Sequence, residues 1–330
     1  MKRLVILLVL LTAAPPARAA DLALGLPLDC QPGRDCWIIQ YPDLDPGSGW
    51  RDHTCGRRSY DGHSGTDFGI PDLAAMARGV PVLAAAAGRV EAVRDGMKDR
   101  RHEAANAKEI AGRECGNAVR LSHGDGWQTL YCHLREGSVT VHPGDTVEAG
   151  AKLGLVGMSG AAEFPHVHFQ VIKNDQWIDP FLGKAPAPAV CGGKAARLWQ
   201  PGVADAVAYS GVDITNIGFS SGPPEAERIL AGDYDGQISR DSTNLTLWAR
   251  VHGAKAGDKL RLRLTAPDGA VLADSETVMP ADKIRVDLSI GRDKTAGRWL
   301  VGAYRGEVTI ARLLPDPLNR RAEAVLRVEP

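Results

Sequence analysis

Five side chains in three short strings could do chemistry together. They are His63 and Asp67 in GHSGTDFGI, His133 in LYCHL, and His166 with His168 in FPHVHFQV. Imidazole nitrogens and carboxylate oxygens are zinc donors, and a catalytic zinc takes three protein ligands with one position left open. Five candidates fill three ligand positions and leave two histidines for proton transfer. That surplus separates a reaction centre from a structural metal clip.

Local pattern says which elements must position them. FPHVHFQVI alternates and is rich in β-branched and aromatic residues, so a strand is expected. Residues two apart on a strand share a face. His166 and His168 therefore project into one site, while Val167 and Phe169 turn toward a core. Gly62 and Gly65 permit a tight loop around His63, and TDFGI then runs into a strand with Asp67 and Gly69 on one face and Phe68 and Ile70 on the other. The helical HExxH motif of the zincins is absent. WQTLYCHL also alternates, which predicts Tyr131 and His133 on one face and Leu130, Cys132 and Leu134 on the other. A lone strand histidine is ordinarily a hydrogen-bonded structural residue, so the weight lies in the combination. His53, His102, His123 and His142 occupy polar or turn-like segments, His252 lies far downstream, and none is assigned a role.

The order and flanks of these strings carry a resemblance. HSGTDF is followed by GVPVLAAAAGRV, then YCHL, then GLVGMSGAAEFPHVHFQVI and a closing WIDPF. Over about residues 50 to 182 the chain resembles the zinc metallopeptidases of the lysostaphin/LytM type, which are peptidoglycan endopeptidases. The resemblance implies a small, mostly antiparallel β domain with the metal at the floor of a groove. By position it makes His63, Asp67 and His168 the Zn2+ ligands and His133 and His166 the catalytic pair, with no substitution at any of the five. Val167 stands where the family more often has leucine, on the face turned from the metal. The polar stretch Met97–Glu114 is an insertion with helix-compatible alanines, expected at a groove edge where it would affect which substrates enter. The implied reaction is hydrolysis of the cross-linking peptides of bacterial cell walls by a zinc-activated water. The two histidines would serve as acid/base and oxyanion stabilisers, because no glutamate is placed by motif to act as base. The alternative is a non-hydrolytic LytM-type regulator that binds or activates another wall hydrolase. A weaker alternative is a peptidase acting on other proteins.

The rest of the chain bears on where this happens. Residues 1–19 have the make-up of a signal peptide: Lys2 and Arg3, the apolar run LVILLVLLTAA, and an A-x-A-like site at Ala17-Arg18-Ala19. Export to the periplasm or beyond is expected, with no membrane insertion after the signal is removed. Formal net charge is −1, more negative once Lys2, Arg3 and Arg18 leave, and there is no basic stripe or phosphate-cradling loop, so no nucleic-acid partner is expected. Six cysteines in an exported chain fit three disulfides. Cys115 and Cys132 flank a hairpin turning at His123–Gly126 and make a plausible pair. Cys30, Cys36, Cys55 and Cys191 leave three connectivities open.

Residues 20–49 form an N-terminal extension that would pack along the sheet or cover the groove. Residues 183–204, opening with GKAPAPAVCGGK, read as a linker. Beyond it, over 205–330, Leu260, Leu262 and Leu264 alternate with Lys259, Arg261 and Arg263 as in a half-buried strand. Leu245, Leu247, Ala249 and Val251 repeat the pattern, as do Ile284, Val286, Leu288 and Ile290. Several such strands imply a C-terminal β-sandwich, immunoglobulin-like in type. It carries no catalytic constellation, and is expected either to dock on the wall or a protein partner or to serve in folding and positioning.

Overall fold

Alternation in the first half of the chain builds one antiparallel sheet. The computed structural model describes residues 22–188, 190–192, 197–234, 238–295, 297–313 and 317–330, so the expected signal peptide lies outside the described residues. The first ten strands are β1 (Trp37–Gln40), β2 (Thr66–Gly69), β3 (Pro81–Leu83), β4 (Gly88–Arg94), β5 (Asn117–Gly124), β6 (Trp127–Leu134), β7 (Thr146–Val147), β8 (Lys152–Leu155), β9 (His166–Lys173) and β10 (Gln176–Ile178). The main sheet runs β1-β2-β9-β6-β5-β4-β7, with β10 also paired to β9, while β3 and β8 form a separate ribbon. Helix α1 (Leu73–Arg78) starts at Asp72, whose carboxylate accepts from the Ala75 N–H, and stops at Gly79.

The register of the central strand is fixed by its apolar face. Val167, Phe169 and Val171 of β9 are buried with Phe68 of β2, Tyr131 of β6 and Val119 and Leu121 of β5. Each such side chain contributes about 1.5–3 kcal/mol on burial. A one-residue slip would exchange them for the histidines. The extension packs along this sheet: β1 pairs antiparallel with β2, setting Trp37 opposite Gly69 and Ile38 opposite Phe68. The insertion holds one short helix, α2 (Ala107–Ile110). It is pinned to the loop before β9, where Asp99 accepts from the Met158 N–H at 2.7 Å and the His102 N–H donates to the Ala162 carbonyl.

Three disulfides join Cys30 to Cys36, Cys55 to Cys191 and Cys115 to Cys132. The last is the pair expected from the hairpin. The second fastens the segment after β10 back to the loop before His63.

The second half is a β-sandwich. It has β11 (Asp213–Ser220), β12 (Asn244–Ala254), β13 (Lys259–Thr265), β14 (Val271–Val278), β15 (Lys283–Asp293), β16 (Gly302–Arg312) and β17 (Leu318–Val328). Sheets β11-β12-β15 and β14-β13-β16-β17 face each other. Leu245, Leu247 and Ala249 from one meet Leu262, Leu264, Tyr304 and Val308 from the other. Leu260, Leu262 and Leu264 are buried while Lys259, Arg261 and Arg263 are exposed, as alternation requires. Helices α3 (Pro201–Ala206) and α4 (Ala226–Ala231) flank β11 in sequence. The sandwich is fastened to the first half through the buried Arg58, which bonds Asp213 at 2.9 Å and the carbonyls of Ser210 and Ile38. Asn216 donates to the Pro71 carbonyl, and Arg101 of the insertion reaches Glu227 of α4.

Candidate metal centre and active site

Strand pairing lines up the first three groups. Asp67 of β2 stands opposite His168 of β9, and Gly69 stands opposite His166. Directly opposed residues of an antiparallel pair share a face, so Asp67, His168 and His166 converge on the side away from Phe68 and Phe169. His63 comes in from the loop before β2. Its Nε2 lies 3.1 Å from Asp67 Oδ1 and 3.2 Å from His168 Nδ1, and His168 Nδ1 lies 2.9 Å from the same Asp67 oxygen. Gly65 makes room: a Cβ there would sit 2.5 Å from His168 Nε2.

His133 arrives by a different route, and here the structure corrects the alternation expected of WQTLYCHL. Tyr131 stands opposite Phe169 in the core, so an unbroken strand would turn His133 inward as well. Instead, Asn117 pairs with Leu134 and Val119 with Tyr131, two steps along β5 against three along β6. The extra residue is a β-bulge, a feature that re-aims side chains beside active sites. His133 takes a positive φ of 62° there, and its ring turns to the site, 4.6 Å from the His166 ring and 6.1 Å from that of His168, centre to centre. All five expected residues therefore meet in one place.

Backbone carbonyls fix the tautomers, since a carbonyl can only accept. His63 Nδ1–H donates to Tyr41 at 2.7 Å, His133 Nδ1–H to Ser159 at 2.7 Å, and His166 Nδ1–H to Phe164 at 2.8 Å. Each neutral ring then has its lone pair on Nε2. Ser159 does more, because its hydroxyl donates to the Leu134 carbonyl and accepts the Asn117 N–H, tying β5 to β6 beside the bulge. Tyr60 stacks on His63 at 4.4 Å and Phe164 on His166 at 4.6 Å. Tyr41, Ser159, Asn117, Tyr60 and Phe164 were given no role from sequence. Ser159 belongs to the GMSG string that carries the resemblance, and nothing local marks the others.

The electrostatics separate two kinds of imidazole. Burial opposes the negative charge on Asp67, but His63 and His166 beside it and hydrogen bonding with His168 and His63 outweigh burial and hold its carboxyl well below the usual range. Burial likewise opposes charge on His63, and Asp67 overcomes it, raising that imidazole. His133 is pushed well below the ordinary histidine value by burial and then by His166 and His168. Burial lowers His166 too, with Asp67 opposing. At neutral pH the pair His133 and His166 is neutral and basic at Nε2.

His63, Asp67 and His168 fit a divalent metal. Donor atoms 2.0–2.1 Å from one tetrahedral zinc lie about 3.3 Å apart, close to the three spacings above. Lone pairs that near repel unless positive charge is shared among them. Shared protons meet that need in part; a cation meets it fully. Each of the two ligand histidines and the aspartate offers one donor atom, all within 4.8 Å of one another. Among the described residues the other cluster of metal-binding types includes the disulfide-bonded Cys30 and Cys36.

Comparison with known proteins agrees with this geometry. Residues 61–180 match the model of peptidase family M23. An uncharacterised metalloprotease of Haemophilus influenzae is 32% identical over 124 residues, 38% of this chain and 21% of that protein. The DD-carboxypeptidase/endopeptidase Mpg of Neisseria meningitidis is 31% identical over 148 residues, 44% of this chain and 28% of that protein. The peptidoglycan DD-endopeptidase ShyB of Vibrio cholerae is 30% identical over 124 residues, 38% of this chain and 24% of that protein. The chain thus spans 21–28% of the length of these relatives. With the five site groups converging inside the matched segment, residues 61–180 form a peptidase family M23 domain.

Proposed function

We propose that this chain is an exported zinc metalloendopeptidase that hydrolyses the peptide cross-links of bacterial peptidoglycan. The observation that carries the reading is the completeness of the site: three donor atoms 2.9–3.2 Å apart with two further neutral imidazoles beside them. A groove that only recruited a partner would need neither. The relatives named as a metalloprotease and as a peptidoglycan DD-endopeptidase support the substrate class. Three disulfides support an oxidising compartment, periplasmic or secreted. No helix among the described residues is long and apolar enough to cross a membrane.

His63, Asp67 and His168 would hold Zn2+, which when bound supplies Lewis acidity toward the scissile carbonyl and draws the pKa of a water toward ~7. The chain's own residues do the rest. His133 and His166 present Nε2 lone pairs toward the cleavage point, with Nδ1–H locked to carbonyls so that the rings cannot turn away. One accepts the proton of the attacking water; the pair returns it to the leaving amine. The imidazolium formed on the way is stabilised by Asp67, whose charge favours protonation of both rings. The one ring that has taken the proton can then donate from Nε2 to the developing oxyanion before passing that proton on.

Purified sacculi incubated with the zinc-loaded chain should release new amino groups, and a chelator should stop the release. A metal-replete preparation that releases none from sacculi or from defined cross-linked muropeptides would overturn the reading in favour of a non-hydrolytic regulator.

A further inference from the structure

We propose that the Cys115–Cys132 disulfide is a positioning bond for the reaction, clamping the bulge in β6 that aims His133 at the metal centre. Its kinetic consequence rests on the peptidase reading above; its structural consequence stands without that reading.

The bulge puts His133 in a backbone conformation that side chains rarely adopt, at φ 62°. Such a conformation persists only when its surroundings over-determine it. Both bulge residues are tied to one neighbour. The His133 N–H donates to the Cys115 carbonyl at 2.8 Å, and Cys132, one residue earlier, is covalently joined to the Cys115 sulfur. A third tie runs from the ring, Nδ1–H to the Ser159 carbonyl. Gly116 packs between them: its φ is +64°, and a Cβ there would lie 2.4 Å from Ser159. Residue 115 is therefore the hub of the arrangement.

That hub lies at the end of the insertion. Residues 111–114 are exposed, and α2, the helix before them, is a single turn. Backbone hydrogen bonds near solvent and one helical turn give little local stability. Without the cross-link, the carbonyl that holds the His133 N–H would be kept in place by hydrogen bonds alone, Ala161 N–H to the Glu114 carbonyl on one side and Asn117 N–H to the Ser159 hydroxyl on the other, and β6 could relax to unbroken alternation. His133 would then turn toward the core side and its Nδ1–H would leave Ser159. Neither of the other disulfides touches the bulge: Cys30–Cys36 closes a turn before β1, and Cys55–Cys191 fastens the linker.

The test replaces both cysteines by serine (Cys115→Ser with Cys132→Ser) in the full chain, with Cys30→Ser and Cys36→Ser as the control pair. Zinc content and the circular dichroism spectrum should match wild type. In nitrogen-15 spectra of the histidine rings, the fixed Nδ1–H tautomer of His133 should be replaced by an averaged one, and the control pair should keep it. On a cross-linked muropeptide, kcat should fall about a hundredfold, the scale of an ångström-level misplacement, with KM within about twofold. A folded, zinc-replete variant that keeps the His133 tautomer and wild-type kcat overturns the proposal. Should the serine pair fail to fold, the space-filling pair Cys115→Ala with Cys132→Val decides by the same readouts. If both pairs fail to fold, the bond is a general staple and the positioning role is overturned. Should wild type itself cleave nothing, the ring spectra alone decide this proposal while the peptidase reading fails separately.

Discussion

The two halves of this molecule are built on the same rule and differ in one departure from it. In the sandwich, β13 alternates without interruption, leucines inward and Lys259, Arg261 and Arg263 outward. Its polar face is electrically closed, with Arg261 bonding both oxygens of Asp274 at 2.8 and 2.6 Å and Arg250 those of Asp287 at 2.8 and 2.9 Å. In the main sheet of the first half the polar face is left open. Asp67 and His168 face each other across β2 and β9 with donor atoms that repel, and one extra residue in β6 throws His133 in among them. Burying a histidine in its neutral form does not by itself make a site. His252 of the sandwich is half-buried and held at about 3, by desolvation and then by Arg58, Arg250 and Arg285, and its Nδ1 meets the Thr215 hydroxyl. The site of the first half differs in that His63, Asp67 and His168 bring three donor atoms to one point, with two more imidazoles beside them.

The largest expected effect lies within the site and would split its five residues in two. Asp67→Ala should lose both the metal and hydrolysis to background, since it removes the charge around which the imidazoles gather. His133→Ala and His166→Ala should keep zinc and lose about 10²–10⁴ in kcat, the range of general acid–base catalysis. Metal analysis beside kinetics reads both. Hydrolysis near wild type by His133→Ala would break the contrast drawn for the bulge.

A smaller effect belongs to the sandwich and tests whether its half-buried His252 is structural. The folded pKa of His252, about 3, lies below the unfolded value of about 6.5. Between those values the unfolded chain binds a proton that the folded chain refuses. Its contribution to stability is therefore complete above pH 6.5 and drains as pH falls toward 3, by at most about 1.4 kcal/mol per pH unit. Denaturant titrations from pH 7 to pH 4 should show a steeper loss for wild type than for His252→Asn. Equal slopes would mean that the imidazole is not held neutral.

The smallest effect should come from the closed polar face. Arg261→Ala breaks an exposed ion pair in high dielectric, and melting temperature, zinc content and kcat should all stay near wild type. A clear loss of turnover would show that the sandwich surface reaches the reaction, against the separation drawn here.

Much of the site was legible because its determinants are short-range. His166 and His168 share a face with their core partners Val167 and Phe169 opposite, as period-two alternation requires. The leucines of β13 followed the same rule. His133 did not. Nothing in WQTLYCHL shows that three residues of β6 span two of β5, because a bulge is a relation between strands. Tyr41 escaped notice for a related reason: it serves His63 through its carbonyl, a group every residue has.

Amino-acid order alone settled that the segments holding His166 and His168, Leu245 to Val251 and Leu260 to Leu264 become strands with one apolar face, and that imidazoles and a carboxylate stand at spacings able to share a metal. These follow from steric preference and from the free energy of removing apolar surface from water, both of which act within a few residues. Tertiary structure alone decided that Cys55 pairs with Cys191 and Cys30 with Cys36, that the N-terminal extension becomes an edge strand bracing His63, and that a bulge aims His133. Each depends on which distant segments come into contact, and that is fixed by packing the whole chain at once.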